Sequence, residues 1–209
     1  MNSLIAFDLD QSSSMNGELT KDAFNKFLTM MQYRIDDCEL YLAAFDDYYT
    51  PLVEFQSIFE VPMMSIYEGG GVNDDGFATS LHYQPRGSTL LNDSVTITVE
   101  NVLKHLKTLP ANEQPTNVTL VIQTDGGNNR GHVQASTVNK VLEDCMVNKG
   151  WNVLFLADCS GWSNEALTQA RDFGVPDANI IKYKDTKEGF GEAATKILES
   201  VVTGKIGRV

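Results

Sequence analysis

The sequence predicts a doubly wound α/β fold, in which a mostly parallel sheet with one antiparallel edge strand carries helices on both faces. Short apolar segments of strand length alternate with amphipathic helical segments along the chain, a pattern typical of such a fold. The 209 residues are 42% hydrophobic and 21% charged, which is close to the globular average and disfavours a disordered or coiled-coil chain. We therefore expect one domain over residues 1–209, built as a three-layer sandwich.

The first half of the chain predicts three strands and two helices. The strand segments are 4–9, 39–45 and 51–58. Because Asp46 and Asp47, between the second and third segments, supply a tight connection of hairpin length, these two strands form a hairpin and the third runs antiparallel. Apolar residues recur at helical spacing after a candidate cap at Thr20, namely Phe24, Phe27, Leu28 and Met31. A second helix spans residues 95–106 and ends before Pro110.

Strands and helices alternate in the second half. The predicted strands are 117–124, 151–157 and 179–183, and the predicted helices are 133–149, 164–173 and 189–202. Strands joined through a helix run parallel, and ligands of such sheets bind beyond the carboxyl ends of the strands. The candidate binding loops are therefore 8–17, 46–50, 84–92, 124–132 and 157–163.

The charge of the chain is unevenly distributed. It has 28 acidic and 16 basic side chains, and the whole formal net charge of −12 lies in residues 1–100, which hold 16 acids and 4 bases. The absence of a long basic run disfavours a nucleic-acid-binding protein, because such proteins need a basic face for the phosphate backbone. The acidic half either provides solubility or concentrates the ligands of a cation site.

Several other classes of protein are disfavoured by the sequence. No segment predicts a membrane span or a signal peptide. The three cysteines are far apart and show no CxxC spacing, which predicts free thiols in a cytoplasmic protein: Cys38, Cys145 and Cys159. Neither G-x-S-x-G nor a phosphate-binding glycine motif is present, and no histidine lies in the context of a catalytic triad. We assign no catalytic residue.

Three of the candidate loops carry hard oxygen ligands. A D-x-S-x-S pattern follows the first strand and supplies Asp10, Ser12 and Ser14. The second loop, residues 85–91, brings a hydroxyl to the start of a helix, and the third places Asp125 after strand 117–124. Carboxylate and hydroxyl oxygens are ligands that Mg²⁺ prefers. Each loop alone is weak evidence, but their joint occurrence at strand ends predicts one metal site.

These residues resemble the metal-ion-dependent adhesion site of the von Willebrand factor type A family, whose pattern is DxSxS, a later Thr and an Asp in a TDG turn. Residues 45–47, 85–89 and 150–157 also resemble the small stand-alone members found in bacteria and phages. The resemblance covers nearly the whole chain and implies a Rossmann-like α/β fold. Ser13 replaces a Gly that is common in the pattern, and Asp8 replaces an apolar strand residue.

The resemblance also implies a function. Mg²⁺ or Mn²⁺ would be held by Asp10, Ser12, Ser14, Thr89 and Asp125. The three hydroxyls would contact the ion directly or through one water, and the two carboxylates would hold the charge and the waters. An Asp or Glu of a partner protein would complete the coordination. We therefore predict a metal-dependent protein-binding module rather than an enzyme, with neither a nucleic acid nor a membrane as partner.

One alternative is an enzyme. The stretch 7–12 also resembles the first motif of haloacid-dehalogenase-type phosphatases, in which Asp8 would be the nucleophile and Asp10 the general acid and base, with Mg²⁺ alongside. That hypothesis leaves Ser14 and Thr89 without a role, and it requires a second acidic pair that the loop at Asp125 does not contain.

A long irregular stretch covers residues 59–87. It includes two Gly- and Asp-rich clusters, at 69–71 and 73–76, and it exceeds the length of a plain connection. We predict a surface excursion there. Because this stretch leads directly to Thr89, a partner that reaches the metal site should contact it.

Overall fold

A computed structural model describes residues 3–66, 80–159, 164–184 and 186–203. In these ranges the strands are β1 (Ser3–Asp10), β2 (Cys38–Phe45), β3 (Tyr49–Ser57), β4 (Met64–Ser65), β5 (Leu81–His82), β6 (Asn117–Thr124), β7 (Asn152–Asp158) and β8 (Ile180–Tyr183). The α-helices are α1 (Gly17–Arg34), α2 (Leu91–Thr108), α3 (Ala135–Val147), α4 (Glu165–Asp172) and α5 (Lys187–Thr203). A short 3₁₀ turn, Asp177–Asn179, precedes β8.

Six of the strands form the central sheet in the order β3-β2-β1-β6-β7-β8. All neighbours are parallel except β3, which pairs with β2 in the antiparallel sense at the edge of the sheet. The predicted doubly wound fold with one antiparallel edge strand is confirmed. Strand order reverses between β1 and β6, and the carboxyl ends of these two strands flank the crevice where such sheets bind ligands.

Alternating side chains of each strand enter two separate cores. On β1, Ile5, Phe7 and Leu9 belong to the core beneath α1 and α5, whereas Leu4 and Ala6 belong to the core beneath α2, α3 and α4. The inner strands β1, β2, β6 and β7 are buried on both faces, which explains why they appear in the sequence as largely apolar runs. Two helical layers around one sheet hold the carboxyl ends of the strands in fixed positions.

Helix α1 begins earlier than the sequence predicts. Its N-cap is Asn16, whose side chain accepts a hydrogen bond from the backbone N–H of Leu19 at 3.2 Å. The predicted cap at Thr20 is wrong, because Thr20 lies within the first turn and is buried. The helix therefore starts directly after the D-x-S-x-S loop, which confines that loop to a tight connection.

The stretch 59–87, predicted as a surface excursion, has buried ends. Val61, Met64, Leu81 and Tyr83 lie in the core beneath α1 and α5, and β4 pairs in parallel with β5. The side chain of Asn25 on α1 bonds both backbone groups of Met64, at 2.7 and 2.9 Å. Residues 67–79 lie outside the described residues.

Two further expectations concern the whole chain. Within the described ranges, no helix is both long and apolar enough to cross a lipid bilayer. All three cysteines are free thiols, as predicted, with Cys38 and Cys145 buried and Cys159 partly exposed.

Candidate metal centre

Three loops meet at the carboxyl ends of β1 and β6. We call residues 11–16 the first loop, residues 83–90 the second loop and residues 125–134 the third loop. The first and second loops are joined by backbone hydrogen bonds, from Arg86 N–H to the Gln11 carbonyl at 2.8 Å and from Ser13 N–H to the Gly87 carbonyl at 3.3 Å. Backbone bonds of this kind fix the loops relative to one another, so the side chains they carry have defined positions.

Asp10 lies at the base of the site, at the end of β1, and is fully buried. One carboxylate oxygen accepts the backbone N–H of Ser12 at 2.7 Å, and the other accepts the Thr124 hydroxyl at 2.6 Å. Burial raises the pKa of Asp10 to about 6, the Thr124 and Ser12 hydroxyls oppose this shift, and the charge of Asp125 adds to it. Asp10 is thus a fixed carboxylate whose negative charge is incompletely compensated.

A chain of oxygen atoms connects the first loop to the third. Ser12 Oγ lies 3.2 Å from Ser14 Oγ, and Ser14 Oγ donates to Asp125 Oδ1 at 2.9 Å. Burial raises the pKa of Asp125, the Ser14 hydroxyl opposes that shift, and the nearby Asp158 carboxylate raises the pKa further. The sequence-predicted residues Asp10, Ser12, Ser14 and Asp125 therefore come together around one point.

Thr89, the fifth predicted residue, is buried in the second loop and is held by the third. Its backbone N–H donates to Asn129 Oδ1 at 2.8 Å, and its carbonyl accepts the N–H groups of Asn129 at 3.1 Å and Arg130 at 3.2 Å. Thr89 and Asp125 therefore sit on two loops that are directly hydrogen-bonded to each other.

The turn between β2 and β3 holds the second loop from the opposite side. Asp46 is buried, its carbonyl accepts the Leu90 N–H at 3.0 Å, and its carboxylate accepts Arg86 Nε at 2.6 Å. Asp47 accepts the Ser88 N–H at 3.2 Å. The predicted hairpin connection thus serves as a support for the loop that carries Thr89.

Side chains at the start of α2 and on α4 hold the third loop. Asn92 N–H donates to Asn128 Oδ1 at 3.0 Å, and Asn128 N–H donates to Gln169 Oε1 at 3.1 Å. Asp93 accepts the backbone N–H groups of His132 at 3.0 Å and Val133 at 3.1 Å. Two helices therefore set the position of the loop that begins with Asp125.

The fold can now be compared with known proteins. No protein-family model matches the sequence, and no curated protein matches it significantly. Among solved structures, the vWF domain of the type V pili tip protein Mfa5 from Porphyromonas gingivalis superposes with a TM-score of 0.61 at 10% identity, covering 100% of this chain and 98% of that one. The chain has the von Willebrand factor type A (vWA) fold.

Two further vWA structures were determined with metal. Proximal thread matrix protein 1 from the mussel byssus, with a zinc-occupied MIDAS motif, matches at a TM-score of 0.61 and 16% identity over 95% of this chain and 45% of that chain. Manganese-loaded TRAP protein from Plasmodium vivax matches at a TM-score of 0.57 and 14% identity over 93% and 71% of the two chains. The present chain thus spans about half the length of the byssus protein.

The donor set fits a hard divalent cation. Ser12 Oγ, Ser14 Oγ and Asp125 Oδ1 form a chain of hydrogen-bond contacts of 3.2 and 2.9 Å, which brings hydroxyl and carboxylate oxygens of two loops together. Oxygen donors of this kind are the ones that Mg²⁺ prefers. In the described part of the chain, no group of three or more His, Cys, Asp or Glu side chains forms a metal cluster, so a vWA site here depends on hydroxyls as well as two carboxylates.

The structure gives no support to the phosphatase alternative. Asp8 is fully buried under α2, and one of its carboxylate oxygens accepts the Ser94 hydroxyl at 2.6 Å. Burial raises the pKa of Asp8 to about 7. A nucleophile must be exposed to its substrate, whereas Asp8 is covered by a helix.

The sequence analysis missed the side chains that support the site. Thr124, Asn129 and Asp93 hold Asp10, Thr89 and the third loop, respectively. Two consecutive amides in the loop after Asp125 were a usable signal, because Asn in a strand-end loop commonly bonds backbone groups. Nothing in the sequence distinguishes Asp93 from an ordinary residue of a first helical turn.

Proposed function

We propose that this vWA domain is a metal-dependent protein-binding module. Mg²⁺ or Mn²⁺ would be held by Asp10, Ser12, Ser14, Thr89 and Asp125, and the bound ion would supply a Lewis-acidic position for an Asp or Glu side chain of a partner protein. The oxygen chain from Ser12 through Ser14 to Asp125, which joins the first loop to the third by contacts of 3.2 and 2.9 Å, is the observation that carries the proposal.

The carboxylate of Asp10 and the hydroxyls of Ser12 and Ser14 have different roles in the proposed site. Asp10 is buried and oriented by two hydrogen bonds, so it provides fixed negative charge beneath the site. Ser14 is exposed and Ser12 is buried, so the hydroxyls extend from the base of the site to the surface. A neutral hydroxyl leaves more of the cation's charge uncompensated than a carboxylate does. The site therefore keeps affinity for an incoming carboxylate.

We further propose that the domain acts by binding rather than by catalysis. Asp8, the nucleophile that the phosphatase alternative requires, is buried and bonded to Ser94. The vWA structures it resembles include a pili tip domain and a byssus matrix protein.

Thermal unfolding in magnesium or manganese against EDTA tests the metal site. Free ion at 100 times its dissociation constant stabilises the folded state by about 2.7 kcal/mol, which for a domain of this size raises the melting temperature by about 6 °C. Asp125→Ala should remove this shift. Ser13→Ala, an exposed change in the same loop, should keep it.

Capture of a protein partner on the immobilised domain tests the binding role. Partners should be retained in Mg²⁺, released by EDTA and absent from the Asp125→Ala column. A melting temperature that is the same in Mg²⁺, in EDTA and in Asp125→Ala would refute the metal site and with it this function.

A further inference from the structure

Two arginines pair with the turn that supports the second loop of the metal centre. Arg86 Nε donates to Asp46 Oδ2 at 2.6 Å, and Arg130 Nε lies 3.4 Å from Asp47 Oδ1. Asp46 and Asp47 are consecutive, with Cα atoms about 3.8 Å apart, so both arginines are held by the same short turn. We call Arg86, Arg130 and the adjacent Tyr48 the arginine rim.

The charges of the arginine rim are layered. The side chains of Asp46 and Asp47 are 5% and 32% exposed, whereas those of Arg86 and Arg130 are 63% and 52% exposed. Each arginine is anchored through Nε, and within the described residues its two terminal amino groups have no partner. Carboxylates therefore lie inside and guanidinium groups face solvent, each with two donors arranged to bind a carboxylate as a fork.

The backbone places this patch next to the metal loops. Arg86 N–H donates to the carbonyl of Gln11, the residue between Asp10 and Ser12, and Arg130 N–H donates to the carbonyl of Thr89. Each arginine is therefore bonded directly to a proposed ligand or to its immediate neighbour. Both arginines therefore belong to loops whose backbones hold the proposed ligands, which puts the arginine rim beside the metal centre.

Tyr48 adds an aromatic surface to the same patch. It forms the tip of the turn between β2 and β3, its side chain is 68% exposed, and it follows Asp46 and Asp47 directly. The few residues that carry most of the binding energy of protein interfaces are enriched in Tyr and Arg.

We propose that the arginine rim is a second anchoring point of the partner-binding surface, which receives another carboxylate of the same acidic segment whose Asp or Glu reaches the metal. This inference rests on the proposed function. The first half of the chain holds 16 acids and 4 bases, whereas the ion pairs of Arg86 with Asp46 and of Arg130 with Asp47 make this patch neutral and leave its cationic groups on the more exposed side, where an acidic ligand meets less repulsion.

Two synthetic peptides test the proposal: acetyl-Asp-Asp-Asp-Asp-amide, which offers several carboxylate spacings, and acetyl-Asn-Asp-Asn-Asn-amide, which offers one carboxylate. Their dissociation constants are measured in Mg²⁺ by NMR titration of ¹⁵N-labelled protein, and the ratio of the two is compared between variants. In Arg86→Gln/Arg130→Gln the preference for the tetra-aspartate should fall about five- to tenfold. The single-aspartate peptide is measured in the same variants, because any weakening of the support that Arg86 gives the second loop through Asp46 acts on both peptides and cancels in the ratio.

A matched control uses Arg34→Gln/Arg171→Gln, which makes the same change of charge at exposed arginines near the ends of α1 and α4. It should keep the wild-type ratio. Arg86→Lys/Arg130→Lys retains the charge but lacks the forked guanidinium donors, so it should give an intermediate ratio. This variant tests the proposal if the glutamine variant does not fold.

The outcomes separate this inference from the proposed function. A wild-type ratio in the glutamine or lysine variants, with single-aspartate binding still dependent on Mg²⁺, overturns the arginine rim alone. Single-aspartate binding that is absent in Mg²⁺, or equal in Mg²⁺ and EDTA, overturns the metal-bridged function on which it rests.

Discussion

The hydroxyl of Thr124 should stabilise the folded state, whereas that of Thr119 should not, although both threonines are fully buried on the same strand, β6. Thr124 Oγ1 donates to the buried carboxylate of Asp10 at 2.6 Å and also accepts the N–H of Gly126 at 3.2 Å. Thr119 Oγ1 has no hydrogen-bond partner within the described residues. Replacing each by Val keeps the side-chain shape and removes only the hydroxyl.

The two substitutions should change the free energy of unfolding in opposite directions. Thr124→Val leaves an oxygen of a buried carboxylate without its donor, which should lower the free energy of unfolding by about 2 kcal/mol. At about 2.1 cal/mol/K of unfolding entropy per residue, this corresponds to a fall of about 4 to 5 °C in melting temperature. Thr119→Val removes an unpaired buried hydroxyl and should raise the free energy of unfolding by about 1 kcal/mol.

Urea and thermal unfolding in EDTA measure both shifts without a contribution from bound metal. Thr124→Ser, which keeps a hydroxyl, serves as a second control and should lose less than Thr124→Val. Thr124→Val should also lower the affinity for Mg²⁺ about tenfold, because the carboxylate of Asp10 loses the hydrogen bond that orients it. Equal shifts for Thr124→Val and Thr119→Val would refute the assignment of Thr124 as a support of the site.

Three other outcomes are expected. Gly131→Ala should lower the free energy of unfolding by more than about 1 kcal/mol, because Gly131 has a φ of +97° and a Cβ there would collide with the Asp93 carboxylate. The same variant should bind Mg²⁺ more weakly, which the melting assay shows as a smaller shift in melting temperature. Cys159, whose thiol is partly exposed, should react with a thiol reagent in the native protein well before Cys38, where burial raises the pKa of the thiol to about 12. Mass spectrometry reads the order of labelling, and faster labelling of Cys38 would show that Cys38 is not buried. Hydrolysis of a generic phosphate ester in Mg²⁺ should stay at background and be unaffected by Asp8→Asn, whereas turnover lost in that variant would revive the phosphatase alternative.

Much of the architecture was predictable because the strands and helices leave periodic patterns. The strand predicted at residues 117–124 coincides with β6, and the antiparallel edge strand followed from the short acidic connection at Asp46 and Asp47. Cap residues were less predictable. Asn16 and Thr20 are both good caps by type, and the choice between them depends on where α1 leaves the first loop.

The candidate ligands were recognisable for a different reason. Hard oxygen donors at the ends of three strands indicated a metal site, and the resemblance to the vWA motif then singled out Asp10, Ser12, Ser14, Thr89 and Asp125. That the first and third loops lie within hydrogen-bonding distance follows from β1 and β6 being neighbours, a fact about strand order that the pattern of strands alone does not determine.

The sequence by itself determined the element order, the parallel sheet with its antiparallel edge and the chemical type of the site, because periodicity and ligand chemistry are local properties of a chain. Tertiary structure alone decided which polar groups hold that site, since the donors to Asp10 and Thr89 come from Thr124 and Asn129, far away along the chain. Tertiary structure likewise decided that Asp8 is buried and that Arg86 and Arg130 pair with the same turn, because burial and ion pairs between distant residues arise only when distant segments pack together.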